Sequence, residues 1–131
     1  MRTKLNEDWC YRALRQVRWP SGIGCPSCGQ NRVTTHSKSN RTPRRRYLCL
    51  SCRRTFTDLT GSPFARTNLP LAKWFLCLRL TDCGLSTSAL AKELGVKWDT
   101  SIHMQRRLGT PWGRPGLIRR LCQFIRVNRR E

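Results

Sequence analysis

The chain has 131 residues, carries 26 Lys and Arg against 7 Asp and Glu, and has a formal net charge of +19. That length suits one ordinary domain or two small modules. So basic a body repels itself unless something negative lies beside it, which points to nucleic acid as the partner and away from a small-molecule substrate or a membrane surface.

Arginine outnumbers lysine 21 to 5. A guanidinium grips a phosphate or a guanine edge with two parallel hydrogen bonds, which an ammonium cannot do. The opening "MRTKLNEDWCYRALRQ" has no apolar run, and nothing approaches the roughly 20 apolar residues of a membrane span. A cytoplasmic, nucleoid-associated location is expected, where the eight cysteines call for an explanation other than disulfides.

In chain order, residues 6–20 ("NEDWCYRALRQVRWP") predict a short amphipathic helix. Asn6 or Glu7 lies near its start, Pro20 ends it, and Trp9, Ala13, Leu14 and Val17 form its apolar side. Residues 1–20 are expected to buttress the module that follows.

That module spans 21–60. Cys25, Cys28, Cys49 and Cys52 form the pattern C-x2-C-x20-C-x2-C, the spacing of a four-thiolate zinc site. Each C-x2-C turn presents two sulfurs on one side of a tight knuckle, and two facing knuckles complete a tetrahedron. All four positions are filled, so one structural Zn²⁺ is expected, with no open position for catalysis. Gly29 suits the turn after the first knuckle. Short strands are expected over 31–36, 44–49 and 53–58, making a zinc ribbon with little more apolar content than Val33, Tyr47 and Phe56. Arg44, Arg45, Arg46, Arg53 and Arg54 crowd the second knuckle. At alternating spacing they cannot share one face, and at least two are expected to meet a phosphate backbone. Cys10, Cys77, Cys83 and Cys122 have no paired spacing and are expected to be small apolar core residues.

Residues 61–69 read as a linker, with Phe64 and Leu69 available to pack beneath the next element. Residues 70–109 predict a helix-turn-helix bundle. Pro70 opens a helix whose Leu71, Trp74, Phe75 and Leu78 share one face. Ser86 or Thr87 caps a second helix to about Leu94, and Gly95 makes the turn. A third helix runs from about Trp98 to Leu108, with Ser101, Met104 and Leu108 inward. If this helix enters a major groove with its N-terminal side leading, Lys97, Trp98, Asp99, Thr100, His103, Arg106 and Arg107 face outward. Thr100 and His103 are base readers in that arrangement, Arg106 and Arg107 meet phosphate or guanine, and Asp99 caps the helix or accepts from a cytosine amine. Residues 110–131 form a basic tail with a helix whose apolar side is Leu117, Ile118, Leu121, Phe124 and Ile125. Within it Gly113-Arg114-Pro115 offers Arg114 as a minor-groove contact, or else serves as a plain linker.

The stretches "LRQVRWPSGIGCPSCG", "YLCLSCRRTFTDLTGSPF", "TNLPLAKWF" and "LAKELGV" resemble the N-terminal region of zinc-ribbon insertion-sequence transposases of bacteria, over about residues 5–108. The resemblance implies a DNA-end recognition region, which in that family precedes an RNase H-type domain whose acidic residues hold Mg²⁺. Two-metal phosphoryl transfer needs convergent carboxylates. Here Glu7, Asp8, Asp58, Asp82, Glu93, Asp99 and Glu131 are scattered, and the chain turns basic after Leu108. The resemblance therefore implies DNA binding without carrying catalysis.

The expected fold class is small α+β: a zinc ribbon of short antiparallel strands, preceded by a helix and followed by a helix-turn-helix bundle and a basic C-terminal helix. The expected function is non-catalytic binding of double-stranded DNA, as an accessory subunit of a nucleic-acid-targeting or transposition complex or as a repressor, alone or as a homodimer. The alternative is an RNA-binding component of a ribonucleoprotein, with Trp98, Trp112 or Tyr47 stacking on bases.

Overall fold

The structure, a computed structural model, describes residues 6–38, 43–65, 69–109 and 116–127. The described elements follow the order α1 (Glu7–Arg18), β1 (Val33–Lys38), β2 (Arg45–Cys49), β3 (Thr55–Thr57), α2 (Leu71–Asp82), α3 (Thr87–Leu94), α4 (Trp98–Leu108) and α5 (Gly116–Val127). This is a small α+β fold with one three-stranded antiparallel sheet, ordered β1-β2-β3.

Local chemistry explains three of the helix ends. Asn6 accepts the Trp9 amide at 3.2 Å and starts α1. Ser86 accepts the Ala89 amide at 3.2 Å and starts α3. Gly95 ends α3 in the left-handed region, φ 71° and ψ 34°, a conformation that costs a residue with a Cβ but not glycine.

The start of α2 has no such local solution, because Pro70 offers no side-chain oxygen. Glu7 supplies it from α1: its carboxylate accepts the Leu71 amide at 2.8 Å and the Ala72 amide at 2.9 Å. A negative charge on two orphan N–H groups at a helix N-terminus satisfies both the donors and the dipole. Glu7→Ala is expected to lower stability by about 1–2 kcal/mol, the usual range for losing a cap. Chemical denaturation checks it, and an unchanged midpoint refutes the assignment.

Two apolar clusters form. The larger joins α1, α2, α3, α4 and α5 around Leu14, Trp74, Phe75, Leu78, Met104 and Leu121. Leu59 and Phe64 also belong to it. The region expected as a linker is thus partly core: Phe64 lies beside Trp74 and Phe75, with ring centroids 5.6 and 6.4 Å away. The apolar side of α5 packs on α1 and α2. Cys10, Cys77 and Cys122 are buried. Cys83 is exposed just past the end of α2, which corrects its expected place in the core; α2 ends there, and no element among the described residues buries it.

The smaller cluster lies inside the ribbon and comprises Cys25, Tyr47, Cys49 and Phe56, with Trp19, Ile23, Val33 and Cys52 against it. Trp19, just past α1, packs on Tyr47 at 5.8 Å and Phe56 at 6.2 Å. Helix α1 therefore belongs to both clusters, its apolar side to the helical one and its C-terminal end to the ribbon. No helix among the described residues is long and apolar enough to cross a membrane.

Candidate metal centre and nucleic-acid face

The two cysteine knuckles repeat the same backbone plan. The Gly29 amide donates to the Cys25 carbonyl at 2.9 Å, and the Arg53 amide to the Cys49 carbonyl at 2.8 Å. Cys25 donates in turn to the Gln30 carbonyl at 2.9 Å, and Cys49 to that of Arg54 at 3.0 Å. Sulfurs are held by amides as well: Ser27 donates to Cys25 Sγ at 3.3 Å and Cys52 to Cys49 Sγ at 3.5 Å.

These turns bring the four sulfurs within 4.8 Å of one another. Cys25 and Cys52 Sγ are 3.7 Å apart, and Cys28 and Cys49 Sγ 3.5 Å. Sulfurs at the corners of a tetrahedron with Zn–S near 2.3 Å stand about 3.8 Å apart, so the spacing fits one Zn²⁺. The electrostatics favour the thiolate at two of the four sulfurs, Cys25 and Cys49. At Cys28 the Gln30 amide pulls the thiol down, but burial and the neighbouring sulfurs outweigh it and raise it to about 11. The backbone N–H of Cys28, and then that of Ser27, draw the Cys25 thiol down to about 6. Those of Cys52 and Ser51 lower Cys49 likewise. Amide donors favour the thiolate, which is the form a metal binds. Four protein ligands leave no position open, so the metal has a structural role.

At one matched position the two knuckles differ in what the backbone demands of the side chain. Gly29 has φ 79°, and its counterpart Arg53 has φ 66°, the one positive φ among described residues other than glycine. Gly is at ease there and arginine is not. Arg53→Gly is expected to raise stability slightly, by up to about 1 kcal/mol, while weakening binding to a nucleic acid. Melting curves read beside affinities check this, and a variant that loses both or neither refutes it.

A second constellation, which spacing and motifs do not announce, gathers around Asp58 just after β3. Asp58 is fully buried. Its carboxylate accepts from Arg15 at 3.0 and 3.1 Å, from the Arg45 amide at 2.9 Å and from the Tyr47 hydroxyl at 2.5 Å. Arg18 donates to the Asp58 carbonyl at 2.7 Å and also to the Thr60 carbonyl, and Arg15 donates to the Pro43 carbonyl. One carboxylate thus ties α1, β2 and the end of the ribbon together. Burial tends to lower the Arg15 guanidinium, and its hydrogen bond and charge pairing with Asp58 outweigh that. Burial, and then the bond to Asp58, push the Tyr47 phenol above its ordinary range. Tyr47 is only 1% exposed, so the expectation that it stacks on bases is corrected: its ring is ribbon core. The one acid in the basic run "RRTFTDLT" was the available signal for this hub.

The five ribbon arginines, Arg44, Arg45, Arg46, Arg53 and Arg54, are all exposed. Arg45 and Arg46 lie on β2, opposite Lys38 and Ser37 of β1, and Arg53 and Arg54 leave the second knuckle. On α4, Ser101, Met104 and Leu108 point inward, while Lys97, Trp98, Asp99, His103 and Arg106 are exposed and Thr100 and Arg107 half-buried. Thr87 donates to the Gln105 side-chain carbonyl at 3.0 Å, which closes α3 on α4. Helices α2, α3 and α4 pack on one another as a three-helix unit. Arg114 and Trp112 lie outside the described residues.

A four-cysteine ribbon joined to a helix-turn-helix bundle defines a zinc-ribbon protein of nucleic-acid-binding build. Comparison with known proteins carries this further: residues 5–55 match the transposase zinc-ribbon domain of the IS1595 type. The chain is also 36% identical, over 109 residues, to an uncharacterized protein in transposable element ISH50 of Halobacterium salinarum. That match covers 82% of this chain and 36% of the relative, so the chain spans little more than a third of the relative's length. No solved structure matches.

Proposed function

We propose that this chain binds double-stranded DNA without cutting it, as an accessory subunit of a transposition or other DNA-targeting complex or as a repressor. The observation that carries this is the joining of a transposase-like zinc ribbon to a bundle whose α4 presents Lys97, His103, Arg106 and Arg107 on its outer side. None of these four takes part in a salt bridge among the described residues. The charges of Lys97, Arg106 and Arg107 are therefore available for phosphate contact, with displacement of counterions as the driving force. Arg46, Arg53 and Arg54 extend the same chemistry onto the ribbon.

The carboxylates support the non-catalytic reading. Glu7 caps α2, Asp58 is the buried hub, and Asp82 faces Arg126 at 3.4 Å. Among the described residues the group arranged to hold a metal is the four cysteines, whereas phosphoryl transfer draws on carboxylate-held ions. Metal-dependent nicking or strand transfer by the chain overturns this reading.

The test is a titration of the zinc-loaded chain on a pool of random duplexes at two salt concentrations, with sequencing of the retained fraction. An enriched motif that survives the higher salt is expected. Arg107→Ala then separates two modes of contact: a base contact relaxes preference at one position, and a phosphate contact weakens every sequence alike. Preference for structured RNA over duplex DNA in direct competition replaces the DNA reading with the ribonucleoprotein one.

A further inference from the structure

We propose that Trp98 reads the C5-methyl group of thymine in the major groove, so that α4 selects sites by an apolar contact. This rests on the DNA reading above. Among the described residues three large apolar side chains are exposed: Leu50 at 37%, Trp98 at 54% and Val127 at 77%. Trp98 is the largest, and it is the first residue of α4. An indole left more than half in water serves no core, and among the described residues it has no aromatic or hydrogen-bonding neighbour. An exposed large apolar group calls for a partner in a way that an exposed lysine does not.

The rest of α4 indicates which partner. Asp99, His103 and Arg106 follow at helical spacing and make a polar stripe. Beside it Trp98 and the half-buried Ile102, one turn apart, make an apolar strip. Lys97 precedes the strip, and Arg106 and Arg107 follow it, so cations for the phosphates flank it at both ends. When a recognition helix enters the major groove, its N-terminal residues meet the base edges. The apolar group displayed there is the thymine methyl; the other features are hydrogen-bond donors and acceptors. Against a G·C edge the indole would strip water from polar atoms that it cannot satisfy. Gln105, the residue on α4 suited to bidentate adenine recognition, is engaged by Thr87. The first turn of α4 thus offers methyl contact ahead of amide readout.

The experiment compares affinities of the zinc-loaded full chain for one duplex made with thymine and again with uracil, which removes the methyl groups and keeps the pairing. The duplex carries the sequence most enriched from the random pool. The wild type is expected to bind the uracil duplex about fourfold more weakly for each methyl contacted, in line with the transfer of one buried CH₂ group. Trp98→Ala is expected to fold normally, because the side chain is exposed, and to bind both duplexes alike. Restoring the methyl as 5-methylcytosine opposite guanine in place of a T·A pair should recover part of the affinity. Equal wild-type affinity for the two duplexes overturns the inference, as does a thymine preference that persists in Trp98→Ala. Failure to bind any duplex overturns the DNA reading itself, so the two failures are distinguishable.

Discussion

Cys49→Ser is expected to release the zinc and unfold the ribbon while the helical cluster persists. The ribbon's fully buried apolar side chains are few: Tyr47 and Phe56 stand beside the ligands Cys25 and Cys49. A handful of rings cannot offset the entropy of ordering some forty residues at about 1–2 kcal/mol each. Metal binding supplies what is missing, on the order of 10–16 kcal/mol for a structural zinc. Serine offers no thiolate, and the amide that now donates to Cys49 Sγ loses a charged acceptor. The helical cluster contains none of the four ligands, so helical circular dichroism should survive while zinc content and ribbon amide dispersion fall together. Chelation of the wild-type protein should reproduce the same state. A variant that keeps its full zinc and its melting curve refutes the structural role of the metal.

Asp58→Ala is expected to be the most damaging substitution away from the metal. It removes one acceptor that serves Arg15 twice, the Arg45 amide and the Tyr47 hydroxyl. It also strands a guanidinium whose side chain is only 14% exposed. Removing one partner of a buried ion pair typically costs about 3–5 kcal/mol, because the remaining charge has no compensation. The double substitution Arg15→Met with Asp58→Ala should cost less than Asp58→Ala alone, since it removes the stranded charge as well. Denaturation midpoints across the cycle check this; strict additivity would mean that the pair is not coupled. The two substitutions also separate by metal. Asp58→Ala should loosen the ribbon from α1 and yet leave the four sulfurs able to bind zinc, because none of its contacts touches a ligand side chain.

Much of this architecture was legible in local chemistry. The metal site could be read from spacing because the bonds that close each knuckle, Gly29 and Gln30 with Cys25 and Arg53 and Arg54 with Cys49, span only a few residues. Helices α3 and α4 begin and end as expected, because Ser86, Gly95 and the stripe of Ser101, Met104 and Leu108 are short-range signals. The strands were legible as elements, with bounds that moved by at most two residues where turns and pairing decide them. The cations of the nucleic-acid face were legible as residue types, but not their exposure: Arg15 and Arg18 look no different in sequence from Arg53 and Arg54, and they are spent on Asp58.

What the chain's order of residues settles unaided is the chemistry that acts over a few positions: four thiolates for one zinc, helix caps, inward stripes and a polycationic balance that requires an anionic partner. The fold alone decides which distant groups meet. Glu7 reaches the amides of Leu71 and Ala72 across more than sixty residues of chain, and Asp58 reaches Arg15 across forty-three. Phe64 takes the place beneath α2 that was open to it, Tyr47 passes from candidate base-stacker to ribbon interior, and Trp98 stays in solvent at the head of α4. The reason is physical. Periodicity and caps report on a residue's neighbours in sequence, whereas a buried charge or ring takes its role from whichever partner the packing brings within reach.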